Sequence, residues 1–258
     1  MKIKKIKIYK SKVTITLEDR KKIDIDKNVY TNFYLYEGKN LSKKELLELH
    51  KQNDNAALLK YALKLREKGP YTEYRMREKL YDKGGLKSQV DEVIKSMKKS
   101  GLINDRQFIE EHIEYYNSLN YGKNKIINKL VEKGIFKETL DHIVFPLATE
   151  KRKATKIFKN LNEKYAKYND AQRKQKIYQA YIALGFDPDI ASEMVGSIQK
   201  SSPKEETSKL EVEFNKVYKR YQLKYNKKEI KSKLLSYLAS KGYKINDILK
   251  LFERKHIA

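Results

Sequence analysis

Four glycines, Gly85, Gly134, Gly185 and Gly242, each follow an apolar helical run, and they stand 49, 51 and 57 residues apart. The runs are copies of one another. Lys79-Leu80-Tyr81-Asp82-Lys83-Gly84-Gly85-Leu86 matches Lys129-Leu130-Val131-Glu132-Lys133-Gly134-Ile135, with looser copies in Tyr181-Ile182-Ala183-Leu184-Gly185-Phe186 and Leu238-Ala239-Ser240-Lys241-Gly242-Tyr243. Glycine in that place suits the left-handed position just past a helix end, where a side chain would be strained. Apolar residues then return on the spacing of one helix face: Val90 and Ile94, Leu140 and Ile143, Ile190 and Met194, Ile248 and Leu251. A further helix precedes each glycine helix, so the repeating unit is three helices. Such a unit cannot bury its apolar face alone. Tandem copies stack on their neighbours, which predicts a mainly α chain built as an elongated, curved array.

Local signals place the unit boundaries. Ser42 with Glu45 forms a capping box ahead of Leu46, Leu47 and Leu49. Gly69-Pro70 ends a helix and Thr72 caps the next; Gly101 ends the third. Asn104 with Gln107 is a second capping box, with Ile103 and Phe108 placed as a hydrophobic staple. Asn120-Tyr121-Gly122 breaks the next pair, Asp187-Pro188 is an N-cap with proline at the first helical position, and Asn226 with Glu229 caps a late helix. Lys200 to Ser208, which contains Pro203, reads as a linker. The expected segments are a small N-terminal sheet over 1–40, a lead-in and first repeat over 41–102, and repeats over 103–148, 149–200 and 201–258, the last opening with the linker. Within 1–40, period-two alternation marks strands around Ile6 and Ile8, then Val13, Ile15 and Leu17, then Ile23 and Ile25, then Phe33 and Leu35. Glu18-Asp19-Arg20 suits a turn, so the strands pair antiparallel.

Composition narrows the function. The chain carries 58 basic and 34 acidic side chains, a formal charge of +24. The charge is spread evenly: residues 1–148 hold 32 basic and 21 acidic groups, and residues 149–258 hold 26 and 13. An evenly basic body favours polyanions through counterion release. Lysine, tyrosine and isoleucine abundance also reflects an AT-rich coding bias. The absence of cysteine rules out disulfides and thiolate metal sites. Met1 to Ile8 lacks the apolar core of a signal peptide, and no apolar run reaches the ~18 residues a spanning helix needs. The expectation is a soluble cytoplasmic protein.

No catalytic constellation appears. His50, His112, His142 and His256 stand far apart with no metal-ligand spacing, and no phosphate-cradling Gly-rich loop or Gly-x-Ser-x-Gly elbow is present. Glu110-Glu111 and Glu205-Glu206 read as solvated faces or first-turn dipole complements. The expectation is a binding protein without catalytic residues, metal, cofactor or small-molecule substrate. Tyr71, Tyr115, Tyr116 and Tyr121 lie near helix ends, where bases could stack on them, although packing is the default role of tyrosine in a chain without tryptophan. The cations of the second helices are better candidates for contact with a polyanion: Arg75, Arg77 and Lys79 in the first repeat, and Lys123, Lys125 and Lys129 in the second. Arg75 with Lys79, and Lys125 with Lys129, are i,i+4 pairs whose repulsion a facing polyanion would relieve.

Three stretches resemble the RecX family of recombinase regulators. They are Tyr61-Ala62-Leu63-Lys64-Leu65-Arg66, followed by Thr72-Glu73 and Glu78-Lys79-Leu80; Gly101-Leu102-Ile103-Asn104-Asp105-Arg106-Gln107-Phe108; and Tyr121-Gly122-Lys123-Asn124-Lys125-Ile126-Ile127 with Leu130 and Lys133-Gly134-Ile135. Asp105 and Phe108 match the family's most recognisable positions. The close match covers residues 56–144, and the last two repeats follow mainly in the glycine pattern. Thr72 stands where serine is frequent and Lys123 where proline is common. The resemblance implies a stack of three-helix modules that binds the RecA recombinase filament on single-stranded DNA and restrains its ATPase and strand exchange, in recombination, DNA repair and the SOS response, as a monomer free of membranes. Arg66 and Arg106, inside the matching stretches, complete the set of candidate recombinase- or DNA-contacting residues. The alternative is a helical repeat that binds DNA or RNA directly, without a recombinase.

Overall fold

The structure is a computed structural model and describes residues 1–257, apart from the side chains of residues 227 and 228. Three strands open the chain: β1 (Ile3–Ile8), β2 (Val13–Leu17) and β3 (Lys22–Ile25), antiparallel in the order β1-β2-β3. Ile6 faces Ile15 and Ile15 faces Ile23, so the alternating isoleucines share one side of the sheet, and a register shift between Ile3 and Lys5 brings Ile3 opposite Leu17. Ile3, Val13, Ile15, Leu17 and Ile25 are buried with Val29, Leu35, Leu41 and Leu49. Arg20 takes a positive φ of 66° in the turn between β2 and β3.

Phe33 and Leu35 form no strand, contrary to the alternation. Asp26 caps a short helix α1 (Lys27–Asn32) by accepting from the Asn28 N–H at 2.8 Å. Phe33 is its C-cap, and Tyr34 at φ 44° turns Leu35 into the sheet core. Two alternating residues carry too little pattern to outweigh an N-cap placed directly before the segment.

Helices α2 (Lys43–Glu67), α3 (Glu73–Asp82), α4 (Lys87–Lys99), α5 (Asp105–Ser118), α6 (Lys123–Glu132), α7 (Lys137–Leu140), α8 (Leu147–Lys164), α9 (Asp170–Ala183), α10 (Pro188–Gly196), α11 (Pro203–Gln222), α12 (Lys227–Ser240) and α13 (Ile245–Arg254) follow. The Ser42/Glu45 capping box that starts α2 is closed in both directions, at 3.1 and 2.9 Å. Thr72, Asn104 and Asn226 each accept from the N–H three residues on. The Gln107 side-chain amide donates forward to Glu111 at 2.8 Å. Asp187 is the N-cap of α10 with Pro188 at the first helical position, yet its carboxylate makes no cap bond and is engaged elsewhere. By contact the chain divides into two compact units, Met1–His112 with Leu130–Phe136, and Ile113–Lys129 with Lys137 onward. In the first, Leu58, Ala62, Met76, Leu80, Val90, Ile94 and Met97 form the core between α2, α3 and α4. In the second, Ala154, Ile177, Tyr181, Phe186 and Ile190 form one core, and Leu210, Phe214, Leu234, Leu238, Ile248 and Phe252 another. Each fully buried aliphatic or aromatic side chain of this kind contributes about 1.5–3 kcal/mol.

All four second helices end in the same Schellman turn. Gly84, Gly134, Gly185 and Gly242 take φ of 91°, 85°, 86° and 86°. Their N–H groups donate to the carbonyls three residues back, and the next residue donates to the carbonyl five back: Gly85 to Leu80, Ile135 to Leu130, Phe186 to Tyr181 and Tyr243 to Leu238. In the first repeat the left-handed residue is therefore Gly84, not Gly85. Gly85 fills the slot of Ile135, Phe186 and Tyr243, where an added Cβ would lie 2.9 Å from Val90 Cγ2 and 3.0 Å from the Leu80 carbonyl.

Two further expectations are corrected. The stretch Lys200 to Ser208 is not a linker, because α11 starts at Pro203 under a complete Ser202/Glu205 capping box. In the second repeat the third helix is one turn, α7; Leu140 is buried, but Ile143 lies beyond the helix. The β-branched pair Ile143-Val144 ahead of Phe145-Pro146 disfavours continuation, since a residue before proline is pushed out of the helical region. Pro146 becomes the N-cap of α8.

Candidate functional site

The start of one second helix meets the end of the next repeat's second helix in a recurrent junction. In the first unit, Thr72 Oγ1 donates to the Lys133 carbonyl at 2.8 Å while accepting from Arg75 N–H at 3.3 Å. In the second unit, Asn169 does the same with its amide, donating to the Lys241 carbonyl at 2.9 Å and accepting from Gln172 N–H at 2.8 Å. Gly122 has no side chain to share, so its N–H donates to the Leu184 carbonyl at 2.8 Å and Asn124 N–H donates to the Gly185 carbonyl at 3.0 Å. The acceptors Lys133, Leu184 and Lys241 directly precede the left-handed glycines.

Those glycines are the contact surface. A Cβ on Gly134 would lie 2.6 Å from the Tyr74 ring and one on Gly242 2.8 Å from Ala171 Cβ. At Gly185 it would collide with the Lys125 backbone nitrogen, and at Gly122 with the Gly185 carbonyl. Gly84, which precedes every junction, has nothing within 4 Å of that position.

A carboxylate from the following repeat completes each junction. Asp105 accepts from Glu73 N–H at 2.8 Å, Glu150 from Lys123 N–H at 3.0 Å and Glu206 from Asp170 N–H at 3.2 Å. Each places negative charge at a helix N-terminus, where the macrodipole favours it. Lys153 lies 2.6 Å from Glu150 and donates to Asn117 Oδ1 and the Tyr121 carbonyl at 2.7 and 2.6 Å. Both charged side chains are 4% exposed, so the pair is buried with its hydrogen bonds met. Lys209 and Glu206 form the same i,i+3 pair at 3.3 Å in a wetter setting. Burial pushes the Asp105 carboxyl above the usual range, with the Glu73 charge adding to it and the Glu73 N–H opposing it. Glu73 itself is held low by its hydrogen bond from Lys98, against burial and with help from Arg77. Thus Asp105, the most recognisable acidic position of the resemblance, is a helix cap.

The candidate cations divide between the two units, Arg66, Arg75, Arg77, Lys79 and Arg106 in the first and Lys123, Lys125 and Lys129 in the second. Most hold structural partners. Arg66 Nε donates to the Leu102 carbonyl at 3.0 Å. Arg75 binds Glu78 and the Glu132 carbonyl, each at 2.6 Å, and Arg77 binds Glu73 at 2.9 Å and also Asp91. Lys79 lies 3.6 Å from Asp82. The repulsion between Arg75 and Lys79 is therefore answered inside the protein, and no polyanion is needed to relieve it. Lys123 pairs with Asp187 at 2.6 Å; burial pushes that carboxyl up, but the bonds from Lys123 and Asn124 outweigh it and leave it below the usual range. The Lys125 ammonium sits 4.2 Å from the centre of the Tyr121 ring, and Lys129 is half-buried on the same helix. Arg106, paired with Glu110 at 3.0 Å, is the most open of the ion-paired candidates, its side chain 89% exposed. Of the tyrosines near helix ends, Tyr116 is buried and stacks on Tyr121, whereas Tyr115 is exposed.

Glu150 and Lys153 were not among the residues expected at a site, and Asp105 and Glu206 were singled out without their partners across the junction. Their signal was present as Glu150-x-x-Lys153 and Glu206-x-x-Lys209, standing 35 and 36 residues before the left-handed glycines Gly185 and Gly242. Among the described residues no group of three or more His, Asp or Glu side chains could hold a metal ion, and no helix is long and apolar enough to cross a membrane.

No protein-family model matches the chain. Among curated proteins it is similar to regulatory protein RecX of Lactococcus lactis, 30% identical over 95% of this chain and 94% of that protein. Regulatory protein RecX of Streptococcus pneumoniae is 30% identical over 96% of this chain and 97% of its own length. Among solved structures, a regulatory protein RecX superposes with a TM-score of 0.63 at 22% identity, covering 76% of this chain and 99% of that one. RecX from Lactobacillus salivarius gives 0.52 at 20% identity, over 56% and 96%. These two likenesses concern the fold.

Proposed function

The chain belongs to the RecX family of regulatory proteins, and from that premise we propose that it binds the RecA-type recombinase filament on single-stranded DNA and restrains the recombinase's ATPase and strand-exchange activity. The observation that carries this reading is likeness to regulatory protein RecX along almost the whole chain, through all four repeats and the N-terminal sheet. The physical rationale lies in repetition. Three-helix modules recur along the chain, and a filament presents similar protomers at regular intervals. A bridging ligand gains effective concentration at each further contact without any new contact type. Cytoplasmic location, a monomeric state and action without cofactor or small-molecule substrate belong to the same proposal.

Contact with the filament is assigned first to Arg106, which projects furthest among the ion-paired candidates, and to Lys125 and Lys129 on α6. Arg66, Arg75, Arg77, Lys79 and Lys123 act mainly by holding the modules in shape. Co-sedimentation with recombinase filaments assembled on single-stranded DNA tests this assignment. Binding to filaments in excess of binding to bare DNA, weakened by Arg106→Ala and retained by Arg77→Lys, is expected. Equal pelleting with bare DNA and with filaments would replace it with the second reading, direct nucleic-acid binding, which the +24 charge favours.

A further inference from the structure

The cations tied down at the junctions leave open which positive charge meets solvent without a partner. The first helices of the repeats answer this unevenly. Helix α5 carries one basic and four acidic side chains, whereas α8, in the same place of the next repeat, carries six basic and two acidic. Of those six, Lys153 is buried against Glu150, and Lys151 pairs with Glu193 at 2.7 Å. Lys164 lies over the Tyr165 ring.

Arg152, Lys156 and Lys159 remain. They are exposed, follow one another at four and three residues, and so share one face of the helix. Among the described residues no carboxylate lies within salt-bridge distance of any of them. Like charges at this spacing repel; Glu163, four residues beyond Lys159, is the one carboxylate on that face and forms no ion pair with any of the three. The other exposed residues of that face are Thr155, Asn160 and Glu163, so from Arg152 to Glu163 it presents no apolar side chain.

We infer that this face of α8 is a docking surface for the phosphate backbone of DNA. The choice of occupant follows from the lack of an apolar anchor. Protein–protein interfaces place aromatic and aliphatic groups at their centre and deplete lysine, whereas nucleic-acid interfaces are polar and strongly positive. Three cations along about two turns of helix suit a row of phosphates, and arginine adds a planar fork that matches phosphate oxygens. The surface binds DNA in its own right, so this inference does not rest on the recombinase.

The test is fluorescence anisotropy of the full chain on a labelled oligothymidine, without recombinase, from about 50 to 300 mM salt. Arg152→Ala/Lys156→Ala/Lys159→Ala is compared with Lys5→Ala/Lys7→Ala/Lys22→Ala, which removes the same charge from exposed positions of the N-terminal sheet. Alanine is a strong helix former, and circular dichroism confirms that both variants fold. The α8 variant is expected to lower the slope of log affinity against log salt by about 2 and to weaken binding at least tenfold near physiological salt. The sheet variant is expected to change the slope by well under half as much. Equal losses in the two variants would mean a diffuse field and overturn the inference. An unchanged slope in the α8 variant would overturn it too, and if filament binding then falls, the face meets acidic protein instead.

Discussion

Placing alanine at two left-handed glycines separates the cost of a backbone conformation from the cost of a broken junction. Gly84 and Gly185 have nearly the same φ, 91° and 86°, and the same Schellman bonds. Alanine in that conformation costs about 1–2 kcal/mol wherever it stands. At Gly84 nothing lies within 4 Å of the new methyl group, so that cost is all Gly84→Ala should show. At Gly185 the methyl collides with the Lys125 backbone, which belongs to a helix and cannot swing aside. Relief requires the start of α6 to move off the end of α9, breaking the bonds from Gly122 to Leu184 and from Asn124 to Gly185. Each is worth about 1 kcal/mol net, more if its partners stay buried. Gly185→Ala should therefore cost about 3–5 kcal/mol, at least ~2 more than Gly84→Ala. Urea unfolding followed by circular dichroism reads the difference. A broadened or two-step transition is also expected, because repeats that lose their interface unfold separately. Equal destabilisation by the two substitutions, with one sharp transition each, would refute the claim that the glycine is the junction surface.

Lys153→Met strands Glu150 as a buried charge and should cost about 3–5 kcal/mol, while adding Glu150→Gln should restore much of the loss, read by thermal unfolding. No recovery in the double variant would show that the pair is not the coupled unit described. Asp105 has a raised folded pKa, so its charge cost appears as pH rises through that value and is absent below the unfolded value near 3.8. The stability of Asp105→Asn relative to the parent should accordingly move in the variant's favour between pH 4 and pH 7; a gap that is constant or reversed contradicts this. Glu73 is the opposite case. Its lowered pKa supplies stability above its ordinary value of 4.5 that is lost as pH falls through the folded value, so Glu73→Gln should flatten the acid limb of the unfolding profile. An acid limb as steep as the parent's would remove Glu73 from the account.

Local chemistry made much of the fold legible. Ser42 with Glu45, Thr72, Asn104 and Asn226 each signal a helix start within four residues, and the glycine copies mark the ends of the second helices. What failed also failed for local reasons. Two adjacent glycines made Gly85 look like the left-handed one, although the bond from its N–H to Leu80 gives it the role of Ile135. Pro203 was read as a breaker, although Ser202 and Glu205 around it spell an N-terminus. The site was far less legible. Charge could be counted, but Arg75 finds the Glu132 carbonyl 57 residues away and Lys123 finds Asp187 64 residues away. No local pattern encodes such pairings, so the cations that looked most available are tied down. The unpartnered Arg152, Lys156 and Lys159 on α8 carry no local mark that separates them from the buried Lys153 in the same basic run. The even charge between the chain's halves likewise concealed the contrast between α5 and α8.

The central claim is regulation of a recombinase filament, and single-stranded-DNA-dependent ATP hydrolysis by the cognate RecA-type recombinase tests it most directly. The protein is titrated in at near-physiological salt. The account predicts inhibition at substoichiometric protein, at concentrations where bare DNA is largely unbound. Unchanged hydrolysis up to a stoichiometric excess, with tight binding to bare DNA, would contradict it.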